Sequence, residues 1–276
     1  FVFHLRHYTT KMFIRKKGNR FYLVENRRVN GKVRQKVIQY LGVNPNSKDE
    51  YLPKFNVIYS CKVEEFLKKL PDNSCDCIIA DPPYFVSCKR EFSVKNGKNK
   101  IRDFGDWDYG DYKTFFDRWM YECFRVLKHN LFLFTRDTLT QYFSEKFNKY
   151  YKCSITWHKS NPLPHFLKNN FISSCETILF FQKQEGLFNF LSHNEMHNFI
   201  ETPIEQRKGI RFHPTQKHEK VIEWLMKIGS NKNSLVLDLF SGSGTTSRVA
   251  KKMQRHFIGV EQDVKFVRKA RKSLCK

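Results

Sequence analysis

A chain of 276 residues with 40% hydrophobic residues suits one α/β domain of ordinary size with an appended element, and it is long enough to bury a sizeable core. Fifty Lys and Arg against 27 Asp and Glu leave a formal net charge of +23, an excess whose usual partner is a phosphate polymer and whose bland counterpart is a solvated basic surface. The absence of a long apolar run or a basic, apolar, small-residue leader order argues against a membrane span and a secretory signal and for an intracellular protein, while eight cysteines with no CxxC pair and no finger-like histidine spacing point to reduced thiols and no metal.

The first fifty residues hold twelve Lys or Arg against three Asp or Glu and read as a basic N-terminal arm and linker, 1–50, ahead of a main domain, 51–276. Within the arm, Arg20 to Val29 and Lys32 to Leu41 flank Asn30-Gly31, a two-residue hairpin signal because both turn positions require positive φ. Gly42 to Glu50, rich in Asn, Pro, Ser and Asp, reads as the linker. The functional reading is a β-ribbon on DNA backbone; the structural one is a hairpin that extends or covers the main sheet.

From Phe55 onward short apolar runs alternate with amphipathic stretches, the pattern of parallel strands joined by helices. Strands are expected over Asn56 to Ser60, Asp76 to Ala80, Leu131 to Thr135, Ser154 to His158, Thr177 to Gln182, Leu235 to Phe240 and Phe257 to Glu261. Helices are expected over Val63 to Leu70, Tyr112 to Leu127, His218 to Ile228 and Thr245 to Met253. Most of the 27 phenylalanines belong in such a core. Two stretches break the alternation, about 85–111 and 183–212, and are candidate recognition loops.

Two motifs carry chemistry. Asp81-Pro82-Pro83-Tyr84 ends the apolar run Cys77-Ile78-Ile79-Ala80, so a carboxylate, two rigid prolines and an aromatic ring stand where a planar amine can be held; alone, the tetrapeptide could equally be a rigid turn. Downstream, Asp238-Leu239-Phe240-Ser241-Gly242-Ser243-Gly244-Thr245 combines a strand, a glycine turn that lets backbone approach a ligand, and a helix start. The following strand ends at Glu261, where a carboxylate can accept from ribose hydroxyls. The turn is GxG followed by Thr-Thr, not GxGxxG, which argues against a dinucleotide.

In this order the motifs resemble the S-adenosylmethionine-dependent amino methyltransferases of DNA (N6-adenine/N4-cytosine), in the permuted β group where the catalytic tetrapeptide precedes the cofactor glycines. Leu70-Pro71-Asp72-Asn73-Ser74, Arg125-Val126-Leu127-Lys128, Trp157 to Pro164, Cys175-Glu176-Thr177 and His213-Pro214-Thr215-Gln216-Lys217 extend the match from about Phe55 to Leu274. The resemblance implies a Rossmann-like sheet of seven mostly parallel strands, the last hairpin antiparallel, plus the small basic N-terminal hairpin. It makes Asp81 and the Pro82 carbonyl acceptors for the two amine hydrogens, with Tyr84 stacking on the target base, after Pro83 completes the rigid turn. S-adenosyl-L-methionine is the implied cofactor, with Asp238, Phe240, Gly242, Gly244 and Thr245 around its methionine and ring faces, Glu261 at its ribose, and Thr215 and Lys217 at its carboxylate.

One departure stands out. Such enzymes usually carry Gly-Asp where this chain has Cys61-Lys62, so either Glu64 or Glu65 substitutes or the cofactor adenine is held by backbone and apolar contacts. The implied partner is double-stranded DNA, with the base flipped into the pocket and N6 of adenine the preferred target. Candidate DNA contacts are Lys89, Arg90, Lys95, Lys98, Lys100 and Arg102, then Arg207, Lys208 and Arg211. N4-cytosine methylation, an inactive nucleic-acid-binding subunit of the same fold, and RNA or protein amine methylation are the alternatives. A homodimer and a cognate restriction endonuclease stay open as partners.

Overall fold

Strand alternation decides the architecture, because successive residues of the apolar runs face opposite sides of the sheet and both sides are covered. A computed structural model of the chain describes residues 12–17, 20–29, 32–43, 53–83, 88–92, 100–102, 112–162, 171–183, 187–205 and 216–275. Its strands are β1 (Met12–Lys17), β2 (Arg20–Val29), β3 (Lys32–Val43), β4 (Val57–Ser60), β5 (Cys75–Ala80), β6 (Cys88–Phe92), β7 (Lys100–Arg102), β8 (Leu127–Thr135), β9 (Tyr151–Lys159), β10 (Cys175–Gln182), β11 (Phe199–Thr202), β12 (Leu235–Asp238) and β13 (His256–Glu261). The helices are α1 (Val63–Leu67), α2 (Tyr112–Asp117), α3 (Met120–Val126), α4 (Thr140–Lys146), α5 (Glu219–Gly229), α6 (Thr245–Lys252) and α7 (Val264–Leu274).

The main sheet has the order β11-β9-β10-β8-β5-β12-β13-β4. Only β10 runs against its neighbours, pairing antiparallel with β8 and β9, while the other five pairings are parallel. The expected seven strands with an antiparallel hairpin are therefore joined by an eighth, β11, on the β9 edge. It comes from the stretch read as a recognition loop, and its four residues are too short for alternation to be read. Trp157 Nε1 donates to Thr202 Oγ1 at 2.8 Å and Asn161 Oδ1 accepts from the Ile204 amide at 2.7 Å, which seats this strand.

Ile78, Ala80, Leu131, Leu133, Leu179, Phe181, Leu237 and Ile258 face one side, against Phe66, Leu67, Trp119, Met120 and Phe143 of the α1 to α4 layer. Ile79, Phe132, Phe134, Ile178, Phe180, Val236 and Phe257 face the other, against Val221, Leu225, Val249 and Val267 of α5 to α7. The single helix expected from Tyr112 to Leu127 is broken at Trp119, whose backbone has φ −127° and ψ −22°. Its wholly buried indole packs edge-on against Phe240 at 5.2 Å, so tertiary packing overrides the helical period.

Two of the motif segments, Leu70 to Ser74 and Arg125 to Lys128, are structural clamps. Arg125 donates to the carbonyls of Leu67 and Leu70, each at 2.8 Å, and to Asp72 at 2.7 Å, while Asn73 and Ser74 amides donate back to Arg125 and Val126 carbonyls. The turn before β5 is thereby tied to the helix before β8. Arg125→Ala leaves these acceptors without their donor, and a loss of about 2–3 kcal/mol of stability is expected in urea unfolding, with cofactor affinity unchanged.

In the N-terminal arm, β1, β2 and β3 form a separate antiparallel sheet in the order β1-β2-β3. Val29 pairs with Lys32, as the two-residue Asn30-Gly31 connection requires, although that dipeptide lies outside the described residues. The β1 strand was not anticipated. Residues 44–52 of the linker also lie outside the described set.

Candidate active site

The two motif strands are neighbours. Asp238 of β12 is in register with Ile79 of β5, so Asp81, two residues further on, lies about 8 Å away by strand geometry. The chain leaves β5 through α2 and α3 to β8 on one side, and leaves β12 through α6 to β13 on the other. This divergence opens a crevice at the carboxyl ends of β5 and β12, the topological switch point where open α/β sheets bind ligands. The permuted motif order is physically neutral, because the same two strand ends meet whichever comes first in the chain.

The glycine turn follows β12. Gly242 and Gly244 have φ of 45° and 72°, a left-handed region that side chains rarely adopt. Gly244 caps α6 and packs on α7: a Cβ there would lie 3.0 Å from the Ala270 Cβ. Glu261 organises this turn, its Oε2 accepting from the Gly242 amide and its Oε1 from the Asp263 amide, each at 2.8 Å. Burial raises its pKa against those two hydrogen bonds. Phe240 forms a wall with Phe115 and Trp119. The buried Thr245 hydroxyl is engaged by Ser243 Oγ at 2.9 Å and Arg248 Nη2 at 3.1 Å, so it acts on the turn itself.

Asp238 is 4% exposed and has no ion pair among the described residues. Burial pushes its carboxyl up to about 7, with Asp81 and Glu261 adding in the same direction and hydrogen bonds from Ser241 and the Phe240 amide opposing. A buried acid lacking a cation, beside a backbone turn open to close approach and a ribose-competent glutamate, fits S-adenosylmethionine, whose α-ammonium would supply the missing charge.

Asp81 and Pro83 are half-buried and Pro82 is buried at the end of β5. Lys217 Nζ lies 2.8 Å from Asp81 Oδ1 and 3.0 Å from Glu176 Oε2. Lys217, the candidate for the cofactor carboxylate, has its ammonium between these two protein carboxylates. Glu176, at the start of β10, also takes Lys159 Nζ at 2.6 Å. Glu176 and Lys159 stand in motif segments that assign them no role, since nothing in periodicity says that β9, β10 and the segment before α5 converge on β5.

Tyr84, Thr215, Lys95, Lys98, Arg207, Lys208 and Arg211 lie outside the described residues. Lys89 and Arg90 fall on β6 and Lys100 and Arg102 on β7, which pair as an antiparallel hairpin. At the end of β4, Cys61 is half-buried, Lys62 and Glu65 are exposed and Glu64 is intermediate. Among the described residues there is no cluster able to hold a metal and no helix long and apolar enough to cross a membrane.

A family model described as DNA methylase matches residues 75–272. The chain belongs to that DNA methylase family. This methylase is 29% identical over 244 residues to the type II methyltransferase M.HinfI of Haemophilus influenzae, covering 79% of this chain and 68% of that one. It is 32% identical over 233 residues to the type II methyltransferase M2.LlaDCHI of Lactococcus lactis subsp. cremoris, covering 77% and 86%. The crystal structure of the M1.HpyAVI–SAM complex superposes with a TM-score of 0.58 at 25% identity, over 79% of this methylase and 99% of that chain. The cytosine-N4-specific PvuII DNA methyltransferase, at 17% identity and a TM-score of 0.62 over 78% and 84%, shares the fold.

Proposed function

We propose that the methylase transfers a methyl group from S-adenosylmethionine to the exocyclic N6 of an adenine flipped out of double-stranded DNA. The observation that carries this reading is the juxtaposition of Asp81-Pro82-Pro83 with the Asp238 to Gly244 turn at one switch point. Asp238, Phe240, Gly242, Gly244 and Glu261 would hold the cofactor, which supplies an electrophilic methyl on a sulfonium. Thr245 supports the turn from behind, and Thr215 remains a candidate for the cofactor carboxylate.

Asp81 and the Pro82 carbonyl accept the two amine hydrogens and draw the nitrogen toward sp3 geometry, with Tyr84 stacking on the base. With the cofactor bound, the lone pair so freed would face its sulfonium methyl for in-line transfer, and Asp81 or water would take the proton that the nitrogen sheds. Adenine is preferred because the first motif residue is aspartate, whereas serine there goes mostly with N4 of cytosine.

Unmodified genomic DNA incubated with labelled cofactor and digested to nucleosides tests the reading. N6-methyladenine supports it. N4-methylcytosine would keep the centre and change the base, and absence of transfer despite cofactor binding would favour an RNA substrate or an inactive binding subunit. The type II names of the relatives make a cognate restriction endonuclease the protein partner to seek, and a homodimer the assembly to test by light scattering.

We assign the 1–50 arm to the DNA backbone. Removing residues 1–45 is expected to weaken DNA binding and flatten its salt dependence while sparing cofactor affinity, as measured by fluorescence anisotropy at several salt concentrations. Equal affinity and equal salt slope would instead make the arm a cover for the domain.

A further inference from the structure

We propose that Lys217 is a positioning residue for methyl transfer, the buried inner cation of a four-charge chain, Lys159 to Glu176 to Lys217 to Asp81, that aims the Asp81 carboxylate and keeps it ionised. The proposal rests on the reading of Asp81 as the amine acceptor.

Four separate parts of the chain converge: the ends of β5 and β9, the start of β10, and the residues before α5. The contacts are 2.6 Å from Lys159 to Glu176, 3.0 Å from Glu176 to Lys217 and 2.8 Å from Lys217 to Asp81. The side chain of Lys217 is 6% exposed and those of Glu176 and Lys159 are each 16% exposed, so solvent screens the inner members weakly. Lys217 Nζ also lies 5.0 Å from the ring centroid of the fully buried Phe134, which fixes the ammonium from β8.

An isolated buried ion pair often fails to recover its desolvation cost. Here the signs alternate and sum to zero, and each inner member has two opposite neighbours. Burial by itself would lower the Lys217 pKa, but Asp81 and Glu176 hold it above its ordinary value. Burial would likewise raise Glu176, and Lys217 and Lys159 hold it below. Both therefore remain charged.

The contrast with Asp238 gives the chain its purpose. Two carboxylates stand at adjoining strand ends, one with a fixed lysine and one without, and environments that divide two acids in this way assign them different roles. The Lys217 contact holds Oδ1 of Asp81, and a carboxylate has further lone pairs on both oxygens, so an amine hydrogen can be accepted without displacing the lysine. A lysine held by two protein carboxylates is poorly placed to serve the cofactor carboxylate as well.

The charged groups facing Asp81 from the described elements are Lys217, with Glu176 and Lys159 behind it, and Asp238 from β12. Removing the cation should raise the pH at which Asp81 gains a proton. Removing the negative charge behind the cation should lower it. The two variants therefore carry opposite signs.

The test is made on the full chain, with cofactor affinity by titration calorimetry and single-turnover methyl transfer at saturating cofactor over a pH range carried down through the ordinary carboxylate range, for the wild type, Lys217→Met, Lys217→Arg, Glu176→Gln and Asp81→Ala. Lys217→Met is expected to lower the transfer rate about a hundred-fold, the scale of a misplaced catalytic group, with cofactor affinity within about three-fold. Its acidic limb should move to higher pH, Lys217→Arg should recover part of the rate, and the Glu176→Gln limb should move to lower pH. A Lys217→Met enzyme with unchanged rate and limb, or one that loses only cofactor affinity, overturns the proposal while leaving an inactive Asp81→Ala as support for the catalytic reading. If Lys217→Met does not fold, a Glu176→Gln limb that fails to move overturns it in the same way. An active Asp81→Ala removes the catalytic reading and this proposal together.

Discussion

Asp81→Ala is expected to lower the methyl-transfer rate by about a hundred- to a thousand-fold while leaving the affinity for S-adenosylmethionine within a few-fold of the wild type. The magnitude is that of removing one preorganised hydrogen-bonding group aimed at developing charge, roughly 3–4 kcal/mol of transition-state stabilisation. The specific loss is twofold: one amine hydrogen loses its acceptor, and Lys217 loses the carboxylate at 2.8 Å that ties it to the site. Cofactor affinity is spared because the glycine turn is held from elsewhere, by Glu261 on the Gly242 amide and by the packing of Gly244 on Ala270. Single-turnover transfer on unmodified DNA, beside a cofactor titration, separates the two quantities. A large fall in affinity with an undiminished rate of transfer from saturating cofactor would place Asp81 in the cofactor pocket and not at the amine.

What was legible in the sequence follows from what a sequence encodes locally. The strands β5 and β12 announce themselves as apolar runs ending in chemistry-bearing residues, and the parallel sheet follows from their alternation with helices. The Asn30-Gly31 dipeptide signals the β2–β3 pairing for the same local reason, and Val29 does pair with Lys32. Besides β1, α4 and the β6–β7 hairpin, three features resisted. The edge strand β11 has only four residues, and although Ile200 and the buried Thr202 alternate with the exposed Phe199 and Glu201, one repeat is too short for a period to be read. The helix α7 hides its buried Val267 and Ala270 among basic residues that cover its outer side. The break at Trp119 is set by an indole that fits against Phe240, a residue more than a hundred positions away. The site divides along the same line. Asp81, Asp238, Gly242, Gly244 and Glu261 sit in motifs whose chemistry is local, whereas the partner of Lys217 depends on the order of strands in the sheet, which no spacing specifies.

The affinity for S-adenosylmethionine is expected to fall nearly ten-fold for each pH unit below about 7, and to be flat just above it. The cause is Asp238. Its carboxyl is buried among acids and pushed up to about 7, so at pH 6 the unliganded protein holds it protonated. A cofactor ammonium requires the ionised form, and binding below that pKa must therefore expel one proton, a linkage of about 1.4 kcal/mol per pH unit. The same displacement acts on stability with a definite sign. Because the folded value lies above the unfolded 3.8, the native chain retains a proton that the unfolded chain has lost, and the contribution of this group falls as pH climbs from about 4 to about 7. Bound cofactor reverses that trend by supplying the cation, so the thermal shift on adding cofactor should grow from pH 6 to pH 7.5. Asp238→Asn removes the titration while keeping the shape, and should give a weaker affinity, by about ten- to a hundred-fold at pH 7.5, that no longer varies with pH. Calorimetric titrations between pH 5.5 and 7.5, in buffers of different ionisation enthalpy, count the proton directly. Glu261 also faces this pocket with a raised pKa, but its two oxygens already accept backbone amides, so a proton count that persists in Asp238→Asn would transfer the linkage to Glu261 and show that the ribose end, not the ammonium end, senses pH.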